Sequence, residues 1–328
     1  MTITPDPDAP DTLRGIGEAA VLARIFPRLP AAASALLGPG DDSAVLAAPD
    51  GRFVVTTDMM IHGPDFRLGW STPHDLGWKA AASNLADVAA MGAVPTGLVV
   101  AIAAPADSPV SLLTGIADGL RNACESLAPG CGVVGGDLSV SPTLTIAVTA
   151  FGDLEGRAPV LRSGASPGDI VAVAGVLGEA AAALRLLFTE AVDDLGRADG
   201  ALAAALRPRT GPQLAPTPPI AAGRAAALAG ATAMLDLSDG LAIDSARLAR
   251  ASGVGIDFSA ADLGGTPEHV LDGGEDHSLL ATFRAGTSLP AGFRRIGGCV
   301  QGEGLTVDGV PHESSGWDPY RDGHGTID

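Results

Sequence analysis

The chain has 328 residues, 46% hydrophobic and 18% charged, enough apolar material for roughly two packed domains, which excludes wholesale disorder. Lys plus Arg number 20 against 38 Asp plus Glu, and the resulting charge of −18 excludes nucleic acid and anionic membrane surfaces as partners, because both need a positive face. Lys79 is the only lysine, and Asp outnumbers Glu 29 to 9, a bias toward the short carboxylate of turns, caps and cation ligands.

In chain order, Glu18 to Phe26 spaces its apolar residues as a short amphipathic helix. Gly38-Pro39-Gly40-Asp41-Asp42-Ser43 follows as a turn that sets two carboxylates ahead of the apolar run Ala44 to Ala47. Arg52 to Thr57 is β-branched and predicts a strand that delivers Asp58 at its end. Ser71 or Thr72 can cap a helix with Pro73 in its first turn; the Ala- and Leu-rich stretch Leu76 to Met91 continues it, and Gly92 stops it. Thr96 to Ala104 predicts a buried strand, Val110 to Leu127 a helix, Val133 to Asp137 a short strand with an acid beyond it, and Thr143 to Gly152 another strand.

Around Asp153 to Asp169 the composition turns to Gly, Pro, Arg and Ser, which predicts a boundary between domains 1–154 and 155–328. Beyond it the pattern predicts a strand Ile170 to Ala174 and a helix Leu177 to about Glu190, then an Ala/Pro-rich loop over Ala201 to Pro219. A helix Ala221 to Ala229, a strand Ala233 to Leu237 and a helix Leu241 to Ser252 come next, with strands near Val254 to Phe258 and Ser278 to Phe283. Strands alternate with helices in both halves, so the fold class expected is α/β (α+β), two domains with mixed β-sheets covered by helices.

Cys124, Cys131 and Cys299 form neither a C-x-x-C pair nor an even set, so neither structural zinc nor a disulfide framework is expected, and a reducing cytoplasm is the simplest location. Met1 to Asp11 carries Pro and Asp where a signal peptide carries a basic and then an apolar stretch, and Leu98 to Ala104 falls far short of the ~18 residues of a membrane span. A soluble protein is expected.

No Walker A pattern surrounds Lys79, and no G-x-G-x-x-G links a strand to a helix. What recurs is an acid at the end of an apolar strand or at a Gly-rich turn: Asp41, Asp42, Asp58, Asp137, Asp236 and Asp239. Gathered on one side of a sheet, such carboxylates repel by ~4 kcal/mol per close pair at an effective dielectric of ~20, so a cation should hold them. All-oxygen ligands without His or Cys suit Mg²⁺ or Mn²⁺ rather than zinc, and Mg²⁺ commonly arrives with substrate phosphates. Each element also has a plain structural reading. Gly-Asp-Asp makes a solvated turn, Ser238 and Asp239 can cap a helix, and Asn84 and Asp87 can form a polar stripe. His62, His74, His269 and His277 show no metal spacing and receive no catalytic role.

The ordered set is more specific than its members. Gly-x-Gly-Asp-Asp-x-Ala-Val at 38 to 45, Thr56-Thr57-Asp58, Asn84-Leu85-Ala86-Asp87 running to Ala93, Gly135-Gly136-Asp137, Arg162-Ser163-Gly164-Ala165, Asp236-Leu237-Ser238-Asp239-Gly240-Leu241 and Gly273-Gly274-Glu275-Asp276 occur in this order. From about Gly17 to Tyr320 the sequence resembles the thiamine-monophosphate kinase family, within the superfamily of aminoimidazole ribonucleotide synthetase. The resemblance implies that superfamily's fold and a homodimer, with phosphorylation of thiamine monophosphate by ATP through direct transfer assisted by several Mg²⁺ ions and no covalent nucleophile. It further implies that Asp42, Thr56, Thr57, Asp58, Asp87, Asp137, Asp236 and Asp239 hold metal, and that Gly136, Asp137, Arg162 and Ser238 meet ATP. Glu275 and Trp317 would meet the thiamine end, the indole offering a face to the cationic thiazolium.

Gly63-Pro64-Asp65-Phe66 stands where the family carries Gly-x-His-Phe, so Asp65 is expected to line the acceptor pocket in place of that His. The chain has no Cys before Cys124 and ends Gly325-Thr326-Ile327-Asp328, which disfavours selenophosphate synthetase and the hydrogenase-maturation relative. Aminoimidazole ribonucleotide synthetase and an aspartyl phosphatase using Asp236 stay as alternatives, although the spacing of Asp236 and Asp239 is not D-x-D. A non-catalytic Ca²⁺ binder ranks last, for want of an EF-hand loop.

Overall fold

The computed structural model describes residues 11–39, 43–264 and 267–313. Asp42, with Gly40 and Asp41, and Trp317 lie outside the described residues. The chain opens with two short helices, α1 (Leu13–Ile16) and α2 (Glu18–Ile25), and a small antiparallel ribbon of β1 (Ala35–Leu37) and β2 (Val45–Leu46). A four-stranded sheet follows, built from β3 (Val54–Ile61), β4 (Val94–Ala104), β5 (Val133–Val140) and β6 (Thr145–Asp153) in the order β3-β6-β4-β5, with only β4 and β5 parallel. Its connections are α3 (Pro73–Ala90) and α4 (Val110–Leu127).

After β7 (Ile170–Ala174) come α5 (Glu179–Glu190), α6 (Gly200–Leu214), α7 (Ile220–Leu228), β8 (Ala233–Leu237), α8 (Leu241–Ser252) and β9 (Gly255–Phe258). Two short helices, α9 (Ala260–Leu263) and α10 (Pro267–Asp272), precede β10 (Ser278–Phe283), β11 (Phe293–Val300), β12 (Leu305–Val307) and β13 (Val310–His312). These strands form a seven-stranded sheet in the order β13-β12-β9-β11-β7-β10-β8, antiparallel except for β9 and β12. Both sheets are therefore mixed and flanked by helices, as the alternation of elements predicts.

α3 positions everything else. Thr72 and Asp75 close a reciprocal capping box at its start, and Pro73 occupies the first turn, where no N–H is missed. It packs on β3, β4 and β6 of one sheet and on β8 and β10 of the other, and a single apolar core runs across it from Leu98, Ile146 and Val148 to Met234, Leu279 and Phe283. Against α4 the two backbones nearly touch: a Cβ on Gly77 or on Gly119 would stand 2.0 Å from the carbonyl of Ile116 or of His74 respectively. Only glycine allows that approach.

Two expectations are corrected. Ala201 to Pro219 is not a loop; α6 spans most of it, capped by the Asp199 carboxylate on the N–H groups of Ala201 and Leu202, with Pro208 and Pro212 inside the helix. Asp58 and Asp137 do not end their strands but lie within β3 and β5. No helix of the described residues is long and apolar enough to cross a membrane, and Cys124, Cys131 and Cys299 are buried free thiols.

Candidate active site

Where α3 meets both sheets, the acids separated in sequence come together. Strand alternation turns Thr56 and Asp58 to the α3 side of β3, and the Thr56 hydroxyl donates to Asp87 Oδ2 at 2.7 Å. Asn84, one turn earlier on α3 and buried, accepts the Asp58 N–H at 3.2 Å and donates to the Ala80 carbonyl at 2.9 Å, tying the strand to the helix. Partial desolvation raises the Asp58 pKa, and Asp236 and Asp239 add repulsion that the His277 charge partly offsets. For Asp87 burial, then the charges of Asp236 and Asp58, push the pKa up to about 7. Asp58, Asp87, Asp236 and Asp239 thus share one electrostatic cluster.

Beside it the segment Gly273 to His277 is pinned at its last three residues. Glu275 N–H donates to the Ser238 carbonyl at 2.8 Å and His277 N–H to the Leu237 carbonyl at 3.0 Å. The Asp276 carboxylate accepts the Gly178 and Ala180 N–H groups at 2.5 and 2.8 Å. Glu275 and His277 take left-handed φ values of 67° and 50°, a conformation costly for side-chain-bearing residues and concentrated at functional sites. His277, to which its spacing gives no catalytic role, is buried and sets Nδ1 3.4 Å from Asp236 Oδ2. Burial alone would lower its pKa, but the hydrogen bond and charge of Asp236, with Glu275, raise it above the usual imidazole value.

The acceptor-side residues cluster too. Lys79 Nζ lies 3.0 Å from Glu275 Oε2, and Gln213 Nε2 donates to the same oxygen. Burial opposes ionisation of Glu275, but the Lys79 charge and both donors hold its pKa below the usual glutamate value. Asp65 Oδ2 accepts the Ile61 N–H at 2.7 Å; burial raises the Asp65 pKa, as does the charge of Glu275, while the Ile61 bond and Lys79 lower it. Sequence also missed Asp244 and Arg247. Asp244 accepts the Asp239 N–H at 2.9 Å, and Arg247 Nη1 bridges Asp244 and Asp239 at 2.7 and 2.5 Å. Burial raises the Asp244 pKa to about 6.

Other expected residues are not brought to the cluster. Thr57 faces the opposite side of β3, its hydroxyl spent on the Val148 carbonyl at 2.9 Å. Gly136 and Asp137 lie on β5, across β6 and β4 from β3. Gly136 is glycine because a Cβ would stand 1.9 Å from the Val100 carbonyl. Arg162 is exposed, and its carbonyl accepts the Ser252 hydroxyl at 3.0 Å, at the far end of α8 from Ser238, roughly 18 Å of helix away.

The donor set suits a hard divalent cation: four carboxylates and a threonine hydroxyl, all oxygen, with Asp58 and Asp87 raised in pKa first by burial and then by the charges of neighbouring acids. Among the described residues, no three His, Cys, Asp or Glu side chains stand, as they are placed, where they could hold a metal ion together.

The four-stranded sheet with α3 and α4 falls within residues 40–154, which match the family model described as "AIR synthase related protein, N-terminal domain". Hydrogenase maturation protein HypE in complex with ATP has the same fold at 17% identity, with a TM-score of 0.64 over 85% of this chain and 88% of its own. The thiamine-monophosphate kinase of Mycobacterium tuberculosis is 44% identical over 94% of this chain and 93% of its own. That of Corynebacterium glutamicum is 40% identical over 85% and 87%. The crystal structure of the thiamine-monophosphate kinase of Stenotrophomonas maltophilia K279a aligns with a TM-score of 0.74 at 31% identity, over 90% of this chain and 96% of that one. AaThiL complexed with AMPPCP and TMP aligns at 0.71 and 32%, over 84% and 90%. The chain belongs to the thiamine-monophosphate kinase family, and it is an enzyme of that class.

Proposed function

We propose that this enzyme transfers the terminal phosphoryl group of ATP directly and in line onto the phosphate of thiamine monophosphate, yielding thiamine diphosphate and ADP, with several Mg²⁺ ions at the acidic cluster. The observation that carries the reading is the convergence of Asp58, Asp87, Asp236 and Asp239, from both sheets and α3, beside the Lys79–Glu275 pair. Asp58, Asp87, Asp236, Asp239 and the Thr56 hydroxyl would hold the metal, which when bound neutralises phosphate charge and orients the reacting oxygens. Asn84 fixes the strand bearing Asp58, Arg247 and Asp244 fix Asp239, and His277 orients Asp236. Ser238, between Asp236 and Asp239 in the chain, would meet the polyphosphate. No general base is needed, because a phosphate monoester with a second pKa near ~6 is already an anionic nucleophile at neutral pH.

On the acceptor side, Asp65 and Glu275 give the pocket the negative character that suits a thiazolium cation, and Lys79 limits their mutual repulsion. Asp42 and Trp317 keep their proposed roles at metal and thiamine from the motif alone. We propose a cytoplasmic location, which three buried free thiols support. We also propose a homodimer, because Asp137 and Gly136 stand on the wrong sheet edge to reach the cluster within one chain.

Incubation with ATP, Mg²⁺ and thiamine monophosphate, followed by chromatographic separation, tests the reaction. Thiamine diphosphate and ADP are expected in equal amounts, reduced by roughly two orders of magnitude or more in Asp58→Asn and abolished by a chelator. ADP with free phosphate and no thiamine diphosphate would overturn it.

A further inference from the structure

Glu275 is held from three directions. Its backbone is fixed in a left-handed conformation by the bond to the Ser238 carbonyl, and its Oε2 receives Lys79 from α3 and Gln213 from α6, residues 196 and 62 positions away in sequence. Both donors fall on one oxygen. Oε1 receives no hydrogen bond from the described residues, and 37% of the side chain stays open to solvent. Lys79 itself is 7% exposed, a buried position for the only lysine of the chain.

The Gln213 amide shows what this arrangement is for. A carboxylate only accepts, so the NH₂ end of Gln213 must face Glu275, and the orientation of the amide is fixed. Its carbonyl end, Oε1, is consequently buried with no donor. Both ends of a buried amide are ordinarily satisfied, so an end left without a protein donor beside a clamped carboxylate points to a site. Asp65, within electrostatic reach of both Lys79 and Glu275, marks the same pocket.

We infer that Lys79 and Gln213 are positioning residues for the acceptor: they clamp one oxygen of Glu275 and so present the other, at fixed direction, to a cationic or amino-bearing heterocycle. The inference rests on the acceptor assignment above. It predicts a split in the kinetics, because neither residue joins the carboxylate cluster. Lys79→Met should raise KM for thiamine monophosphate roughly ten- to a hundredfold, the worth of a charge-assisted hydrogen bond, with KM for ATP within about twofold. Lys79→Arg should restore most of the loss, and Gln213→Leu should show the same split to a smaller degree.

The decisive comparison is a cycle with Glu275→Gln. If the lysine acts through Glu275, Lys79→Met adds nothing to KM in the Glu275→Gln background. Losses that add, a rise in KM for both substrates, or a failure of Lys79→Arg to rescue a variant that melts with the wild type would overturn the inference; should Lys79→Met not fold, Gln213→Leu and Lys79→Arg carry the cycle. Calorimetric binding of thiamine monophosphate without ATP separates the two readings. A wild type that binds this acceptor but transfers nothing to it refutes the proposed reaction and leaves the positioning role to be read from binding; a wild type that does not bind it refutes both.

Discussion

Asp87 is poised by its neighbours rather than by its own chemistry. Its folded pKa of about 7 stands above the ordinary 3.8, so between those values the folded chain holds a proton the unfolded chain has released. Without metal, stability from this group is therefore highest at low pH and is lost as pH rises toward and through about 7, by on the order of a few kcal/mol. Divalent metal reverses the sense, since it needs the ionised carboxylate. Melting temperatures recorded at pH 5.5 and 8 should show a Mg²⁺-induced rise that is larger at pH 8. Metal-free Asp87→Asn should melt above metal-free wild type at pH 8 and lose most of the Mg²⁺ response. Because the general repulsion of a −18 chain acts on both proteins, their difference isolates the cluster. An equal Mg²⁺ effect at both pH values would remove Asp87 from the metal site.

At the scale of elements, α6 does more than fill space. Its Arg207 grips both oxygens of Asp75, whose side chain is 1% exposed and already part of the α3 capping box. Burial opposes ionisation of Asp75, yet the Arg207 and Thr72 bonds hold its pKa below the ordinary value, so this stability is present near neutrality and lost as pH falls through the depressed pKa. Arg207→Met leaves a buried carboxylate uncompensated and should cost about 2–4 kcal/mol, kept low because Arg207 is itself part-exposed. A melting temperature lower by roughly 5–10 °C is expected, with partial recovery in Asp75→Asn/Arg207→Met. An unchanged melting temperature would refute the clamp. α3 itself was legible in the sequence, since Thr72, Pro73, the Ala-rich stretch and Gly92 all speak for one helix. α6 was not, because Gly211, Pro208 and Pro212 are local breakers and the helix is sustained by tertiary contacts such as Arg207 with Asp75 and the α5 packing. The β12–β13 hairpin carried a readable signal, Asp308-Gly309 with both φ positive, but its strands are too short for periodicity. The acids of the site were readable as types; their meeting was not, since His277 with Asp236 and Thr56 with Asp87 are 41 and 31 residues apart.

For the whole molecule, the four-stranded sheet leaves a question that one chain does not answer. One face is covered by α3 and α4, while the other leaves Val55 and Met59 on β3, and Phe53 just before it, more than half exposed, with Ile61 at 36%. Both of its edges, β3 and β5, lack a further strand among the described residues. Asp58 lies on the β3 edge and Asp137 on the β5 edge, three strand spacings or ~14 Å apart and on opposite faces. No metal ion can be shared across that span. A second copy laid on the open face, with β3 of one chain beside β5 of the other, would bury the apolar row and bring its Asp137 to the β3 edge whose other side carries Asp58, so that the two sites are completed around that edge. Sedimentation should therefore give a dimer, and Met59→Glu, which puts a charge into that row without touching the acids, should give a monomer with thiamine diphosphate formation largely lost. Mixing inactive Asp58→Asn with inactive Asp137→Asn under conditions of subunit exchange should recover about one quarter of wild-type activity, because half the dimers formed would be mixed and each would hold one intact site. A fully active Met59→Glu monomer would show instead that every residue the reaction needs comes from a single chain.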